Sequence, residues 1–316
     1  MGLPYSAFVR EYVAMNRPVV VEQAAHGCAA LSRWTPEYFK QRFGSMPVHV
    51  DRGEPMAFDA FIDSVLASQE NTPARYLHRL FIGPDLPELL PDLEPFNPYA
   101  FPRRLASPLM LRPWRRPDGY LKLLIGGVGG RFPVLHYDGE NAHATITEFH
   151  GDKEFVLYPP EASPFMYPKP DMPNQSRVAD IQHPDLECFP LFAQARQYHT
   201  VLHPGDMVFV PARWWHSARV LSPSISIGQN MIDASNWRGY VNELCPPEHG
   251  VRELKRQVKK AWLLGLGATL GTLEKLPSRQ HPPTTWLGAS ITRLAPLSST
   301  EAGDSRHWPV DDWKAR

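Results

Sequence analysis

Cysteine is scarce in this chain: three in 316 residues, Cys28, Cys188 and Cys245, odd in number and far apart. Such a count argues against a disulfide scaffold and suits a reducing cytoplasm, where the protein is expected to reside. There is no excess of charge of either sign. Lys plus Arg and Asp plus Glu number 33 each, so no global pull toward nucleic acid or anionic membrane follows. Long apolar runs are missing too. The longest, AWLLGLGATLGTL at 261–273, falls short of the ~20 residues that span a bilayer. The opening MGLPYSAFVREYVAMNRPVVV lacks the charged and apolar regions of a signal peptide. A P-loop string, a G-x-S-x-G elbow and a paired C-x-x-C are also absent. The glycines of IGGVGG (125–130) are followed by no helix with a downstream acid, which argues against a dinucleotide fingerprint.

Proline is abundant: 34 residues, about twice the usual ~5%. Spread through the chain, it suits a loop-rich β protein. The first 75 residues read as mixed α/β. SAFVREYVAM suggests a helix capped by Ser6, and RPVVVEQ a strand. TPEYFKQRFG suggests a helix with Thr35 at the N-cap, Pro36 behind it and Gly44 past its end. MPVHVD alternates like a strand, and AFDAFIDSVLASQE places Phe58, Phe61, Ile62 and Leu66 on one helical face. Residues 76–118 show little regular pattern. They carry Arg103, Arg104, Arg112, Arg115 and Arg116 around Trp114, either a solvated loop or a surface for phosphates and bases. From Tyr120 to Asn236 short alternating segments follow one another: LKLLIG, ATITEFH, KEFVLYP, HTVLHPG, MVFVP and SISIGQN. With Gly, Pro and Asp between them they indicate a sandwich or jelly-roll barrel. The proline-rich insert at 161–196 is expected to cross the barrel mouth. Residues 248–276 read as a basic amphipathic helix with Val251, Leu254, Val258, Ala261, Trp262 and Leu266 at helical spacing, packed on the core or on a second subunit. Residues 277–316 lose periodicity and read as a partly disordered tail.

The chemistry concentrates in RFPVLHYDGENAHATITEFHGDKEFVLYPP (131–160). Residues two apart on a strand face the same way, so His136 and Asp138 can point together at one metal ion. A third ligand must come from another strand, and His216, at the end of PGDMVFVPARWWH, is the best candidate. Two imidazoles and a carboxylate on one face of an octahedron leave positions open, the pattern of non-haem Fe(II) sites. Taken singly, each residue reads as an ordinary packed or hydrogen-bonded side chain; the order and strand context carry the site.

In order, HYD, GDKEFVLYPP, LHPGDMVFVPARWWH and SISIGQN resemble the cupin-like branch of the JmjC-type 2-oxoglutarate oxygenases. RPVVVEQ, WTPEYFKQRFG and PVHVD are similar to that family's N-terminal region. The resemblance covers residues 5–240 and implies a double-stranded β-helix, a jelly-roll barrel that is mainly β with flanking helices. It also implies Fe(II), 2-oxoglutarate and O2 as cofactor and cosubstrates, with hydroxylation releasing succinate and CO2. It assigns His136, Asp138 and His216 to the metal, Lys153 to the far carboxylate of 2-oxoglutarate, and Asn230 to a polar position nearby. A dianion entering a low-dielectric barrel needs such a cation. The chain departs from the family at Pro133, where threonine is common, at Glu148, where glutamine is common, and in a longer Asp138–Lys153 spacing. The asparagine expected between them has no direct counterpart; Asn141, His143 or Thr145 could take its task. Trp214 and Trp215 either wall the site or pack in the core.

The expected organisation is an oxygenase domain at 1–240, with an α/β flank at 1–118 and a barrel core at 119–240. A helical segment at 241–276 and the tail at 277–316 follow. The expected activity is hydroxylation of a protein side chain or small molecule. A tRNA base as substrate and a non-catalytic cupin-fold metal- or ligand-binding protein remain the alternatives. No membrane association is expected, and a homodimer through the C-terminal helix is.

Overall fold

A computed structural model describes residues 4–50, 54–100, 104, 109, 121–132, 134–273 and 291–292. Its strands are Val19–Val21 (β1), Pro47–Val48 (β2), Met56–Ala57 (β3), Leu77–Phe81 (β4), Lys122–Gly126 (β5) and His143–His150 (β6). Lys153–Tyr158 (β7), Tyr198–Leu202 (β8), Met207–Val210 (β9), Trp215–Val220 (β10), Ser224–Met231 (β11) and Ile291–Thr292 (β12) follow. Seven of them form one sheet in the order β12-β1-β9-β6-β11-β5-β4, and three form a second, β10-β7-β8. All pairings are antiparallel.

Period-two alternation explains how the sheets stack. Leu124, Ala144, Ile146, Val208 and Val210 of the large sheet pack against Phe155, Leu157, Leu202, Ala218 and Val220 of the small one. The intervening residues of the large sheet face an outer helical layer. Leu123, Ile125, Phe149, Ile225 and Ile227 meet Phe39 and Phe43 of helix Pro36–Phe43 and Phe58, Phe61 and Ile62 of helix Phe58–Leu66. Each fully buried phenylalanine there contributes roughly 1.5–3 kcal/mol. Phe8, Tyr12 and Val13 cover Val19, Val21, Met207, Phe209 and Met231 in the same way.

Local signals hold at Thr35, whose hydroxyl accepts the Tyr38 N–H at 3.2 Å, capping its helix. They fail at Ser6: the first helix starts at Tyr5 behind Pro4, with no side-chain cap. Val65, rather than the exposed Leu66, completes the buried face of helix Phe58–Leu66. MPVHVD yields a strand of two residues, paired with β3. The stretch after 75 is more regular than its pattern indicated, for it supplies β4 and two helical turns, Ile82–Asp85 and Pro87–Leu93. A register shift between Leu77 and Leu80 breaks the alternation of β4 and hides it in the sequence. In the arginine cluster, Arg104 is buried, with its guanidinium 5.0 Å over the Trp237 ring, so it is no part of a solvated loop. The other arginines of that cluster and Trp114 lie outside the described residues, as does Pro133.

The C-terminal helix runs Val251–Leu273. Its second half buries Leu263 and Leu270 with Trp237, Tyr240 and Val241 of helix Trp237–Leu244. Gly267 allows that approach: a Cβ there would stand 2.1 Å from Trp237 Nε1. The first half does not take the core, one of the two expected partners, since Val251, Leu254, Val258 and Trp262 are exposed in the single chain. Of the tail expected at 277–316, only Ile291–Thr292 is described, and it pairs with β1 rather than standing apart. Among the described residues no helix is long and apolar enough to cross a membrane, and Cys28, Cys188 and Cys245 form no disulfide.

Candidate metal centre and its cavity

His136 and His216 meet through their main chains. His136 N–H donates to the His216 carbonyl at 3.1 Å and His216 N–H to the His136 carbonyl at 2.7 Å. The histidine of the His-x-Asp pair therefore sits not on a regular strand but on an extended segment bridged to β10 on one side and to Gln175 of the insert on the other. The pairing sets the two rings 4.5 Å apart between centroids. Asp138 follows two residues on, with Oδ2 3.9 Å from His216 Nε2. One donor atom from each residue lies within 4.8 Å of the others, close enough for one ion to sit among them.

Three observations say that the donor set fits a metal. Each imidazole is tied back through Nδ1, His136 to the Val134 carbonyl at 2.9 Å and His216 to the Trp214 carbonyl at 3.0 Å. Those bonds place the proton on Nδ1 and leave Nε2 as a lone-pair donor, the arrangement that supports a metal-bound histidine. Burial, reinforced by the neighbouring His216, lowers the His136 pKa to about 4, so its ring is neutral near neutral pH. Burial alone would raise the Asp138 pKa. The two histidines, Lys122 and a hydrogen bond from Asn230 outweigh it, and the carboxylate is held ionised below its ordinary range.

The triad lines a cavity of about 700 Å³ between the sheets. Its wall comes from Lys122 and Leu124 of β5, Ala144 and Ile146 of β6 and Gly228 and Asn230 of β11, with Phe132 and Val134 beside the ligands. The insert brings Lys169, Met172 and Gln175 to the same cavity. It is anchored there by Asn174, which accepts the Tyr137 N–H at 3.0 Å through its carbonyl and donates back at 3.1 Å through Nδ2.

Other residues singled out by sequence fall in several places. Asn230 faces the cavity, with Oδ1 accepting from Lys122 Nζ at 3.1 Å. Thr145 borders it but lies on the strand face opposite Ala144 and Ile146, its buried hydroxyl without a hydrogen-bond partner. Asn141 and His143 do not line it. Asn141 sits in a left-handed turn and exchanges hydrogen bonds with Asn236, whereas the His143 ring is buried between the Ala212 N–H and Ser235 Oγ. Odd-numbered residues of β6 face the outer layer, which is why His143 cannot turn inward. Trp214 and Trp215 also belong to packing: Trp214 to the core between the sheets, Trp215 against Tyr137 and Ser163.

Lys153 is placed away from the cavity as well. It is fully buried, with its ammonium 3.3 Å from Glu148 Oε2, hydrogen bonded to Ser226 Oγ, and 5.5 Å from the centre of the Tyr76 ring. Burial would lower its pKa, but Glu148 and Tyr76 raise it overall. Glu148 also accepts from Ser224 Oγ at 2.7 Å, and burial pushes its carboxyl up to about 7. Phe132 packs near both groups: its ring centre lies 5.9 Å from that of His136, 6.3 Å from that of His216 and 5.3 Å from that of Tyr76. The sequence reading passed over Lys122, Phe132 and the insert residues. The alternation of LKLLIG does carry a signal for Lys122, since it shares a strand face with the inward Leu124.

Comparison with known proteins bears on the family of the chain. The cupin-like domain family matches residues 4–231, well over half of the chain. HSPB1-associated protein 1 of Mus musculus is 38% identical over 168 residues, covering 52% of this chain and 30% of that protein. The tRNA wybutosine-synthesizing protein 5 of Gallus gallus is 27% identical over 302 residues, covering 87% of each chain. Lysine-specific demethylase 8 of Xenopus tropicalis is 26% identical over 234 residues, 70% of this chain and 49% of that one. The chain thus spans under a third of the first relative and about half of the last. On the family match, supported by these relatives, this chain belongs to the cupin-like, JmjC-type family.

Proposed function

We propose that the protein is an Fe(II)- and 2-oxoglutarate-dependent oxygenase that hydroxylates a protein side chain or a small molecule. The observation that carries this reading is the buried triad, with both imidazoles presenting Nε2 and Asp138 ionised beside them. When bound, Fe(II) with 2-oxoglutarate supplies O2 activation and oxidation of a C–H bond, with release of succinate and CO2. The chain's own residues hold and orient. His136, Asp138 and His216 would ligate the ion, Asn230 steadies the Asp138 carboxylate, and Phe132 and Val134 exclude water on the sheet side. The insert residues Lys169, Met172 and Gln175 stand where a substrate would enter. In this reading the two antiparallel sheets are the walls of a double-stranded β-helix, with residues 119–240 as its core and 1–118 as its flank. A cytoplasmic location goes with it, since the described cysteines are unpaired.

Likeness to the wybutosine-synthesizing protein across most of both chains favours a second reading, hydroxylation of a tRNA base. Purified protein with Fe(II) under nitrogen is expected to develop a weak visible charge-transfer band on adding 2-oxoglutarate. Admitting 18O2 with candidate peptides, nucleosides and metabolites is expected to yield succinate and one labelled product. Metal and 2-oxoglutarate binding without succinate across that panel would instead indicate a cupin-fold sensor.

We also propose that the exposed stripe Val251, Leu254, Val258 and Trp262 seats a second copy of the chain. Leu254→Lys with Trp262→Glu is then expected to halve the mass seen by sedimentation. A wild-type chain that stays monomeric at high concentration sinks the idea.

A further inference from the structure

We propose that the substrate carries an anionic group, a carboxylate or a phosphate, and that Lys169 of the insert binds it; the inference rests on the oxygenase reading above. The small sheet does not end at β10. His216 bridges to His136, His136 to Gln175, and Ser176 to Pro168, all antiparallel, so the insert adds two short rungs beyond the candidate ligands. Lys169 N–H donates to the Gln175 carbonyl at 2.8 Å, which sets Lys169 opposite Gln175. Residues directly opposite in an antiparallel ladder share a face. His216, His136, Gln175 and Lys169 therefore stand in one row. On its other side His216 stands opposite Leu157 of β7, which is buried between the sheets, so the row points inward. All four of its residues line the cavity of about 700 Å³. Ser176 N–H, donating to the Leu135 carbonyl at 2.8 Å, helps fix the register. With strands spaced roughly 5 Å apart, the Lys169 main chain stands about 10 Å from that of His136.

The charges along the wall are one-sided. Among the described residues that line the cavity Asp138 is the sole carboxylate, whereas Lys122 and Lys169 are both cations. Lys122 bonds Asn230 Oδ1 at 3.1 Å and helps keep Asp138 ionised, so its charge is taken up at the triad. Lys169 has an amide for its partner, Gln175 Oε1 at 3.0 Å, and pairs with no carboxylate among the described residues. Gln175 spends its carbonyl oxygen on that bond and keeps its amide hydrogens for another acceptor. A half-buried ammonium with an amide donor beside it matches the paired oxygens of a carboxylate or phosphate. A lysine that only closed the insert turn would need the hydrogen bond but not the charge.

The test uses the full-length protein loaded with Mn(II) and saturating 2-oxoglutarate under nitrogen. Two matched pairs of probes are titrated in: N-acetylaspartate methylamide against N-acetylasparagine methylamide, and phosphoserine against serine, blocked in the same way. Mn(II) is paramagnetic, so broadening of the probe's proton lines reports binding in the cavity beside it. Wild type is expected to bind the charged member of at least one pair about 10-fold more tightly, the worth of a charge-assisted hydrogen bond. The pair that shows the larger preference tells carboxylate from phosphate. Lys169→Gln, which can keep a hydrogen bond to Gln175 and removes the charge, should abolish the preference, and Lys169→Arg should retain it. A wild type that binds neither charged probe better than its neutral partner would overturn the inference with the oxygenase reading intact. So would a preference that survives Lys169→Gln. Failure of the wild type to take up Mn(II) or 2-oxoglutarate would overturn both.

Discussion

Asp138→Ala is expected to empty the proposed metal site. Calorimetric titration of the variant with Mn(II) or Fe(II) under nitrogen is expected to show affinity reduced by well over 100-fold. The scale follows from a milder perturbation, for removing only a ligand's hydrogen-bond partner typically costs about 10–100-fold. Asn230→Ala, which takes away the Asp138 partner, should fall in that lower range. His216→Ala should match Asp138→Ala, because two donors do not enclose an ion that three are set to hold. The fold should be indifferent to the aspartate change: Asp138 belongs to none of the apolar clusters that join the sheets. A variant lacking Asp138 that binds metal like wild type would refute the centre outright, whatever becomes of the cosubstrate.

The second large effect concerns stability. Above about pH 7, where Glu148 is ionised, Glu148→Ala leaves Lys153 buried without its carboxylate and is expected to destabilise the protein by about 3–5 kcal/mol, the usual cost of breaking a buried ion pair from one side. Replacing both partners with apolar residues, Glu148→Leu with Lys153→Met, should recover most of that loss, since the desolvation cost of both charges disappears together. Urea unfolding of the two single variants and the double closes the cycle. The pH dependence has a definite sign. Burial raises the Glu148 pKa from 4.5 to about 7, so between those values the folded chain retains a proton that the unfolded chain has released. Stability from this group is fully present below the lower value and is lost as pH rises through the upper one. Glu148→Gln should remove that slope. An alanine variant with the wild-type unfolding midpoint would show that the pair contributes nothing.

The readings that survived from sequence were those with a local physical cause. Thr35 caps its helix because a hydroxyl before Pro36 has an amide within reach. His136, Asp138 and His216 meet because a spacing of two keeps a pair together and the His136 segment bridges to β10 at His216. What stayed hidden depends on partners far away in the chain. Lys153 looked like a lone inward cation, and its spacing could not show that Glu148, on the other sheet, brings a carboxyl oxygen within 3.3 Å of it. Asn141 and His143 were chosen by distance along the chain from Asp138, but the face on which β6 enters the sheet turned them to other tasks. In the C-terminal helix, period alone could not say which of two apolar stripes the core would take. Gly267, by admitting Trp237, decided it.

The reciprocal main-chain bonds between His136 and His216 bear on how the centre is loaded. Their spacing is held by peptide groups, which need no ion to stay paired. Zinc-finger domains, by contrast, fold only as they capture their ion. In the oxygenase reading, an ion removed by a chelator would return to ligands already paired through the backbone, without refolding. A ready-made nest of two nitrogens and one oxygen also ranks divalent ions by intrinsic affinity, and Fe(II) stands low in that order, below Co(II), Ni(II), Cu(II) and Zn(II). In the oxygenase reading, the ion held there would therefore be decided by supply and exchange rather than by the shape of the nest.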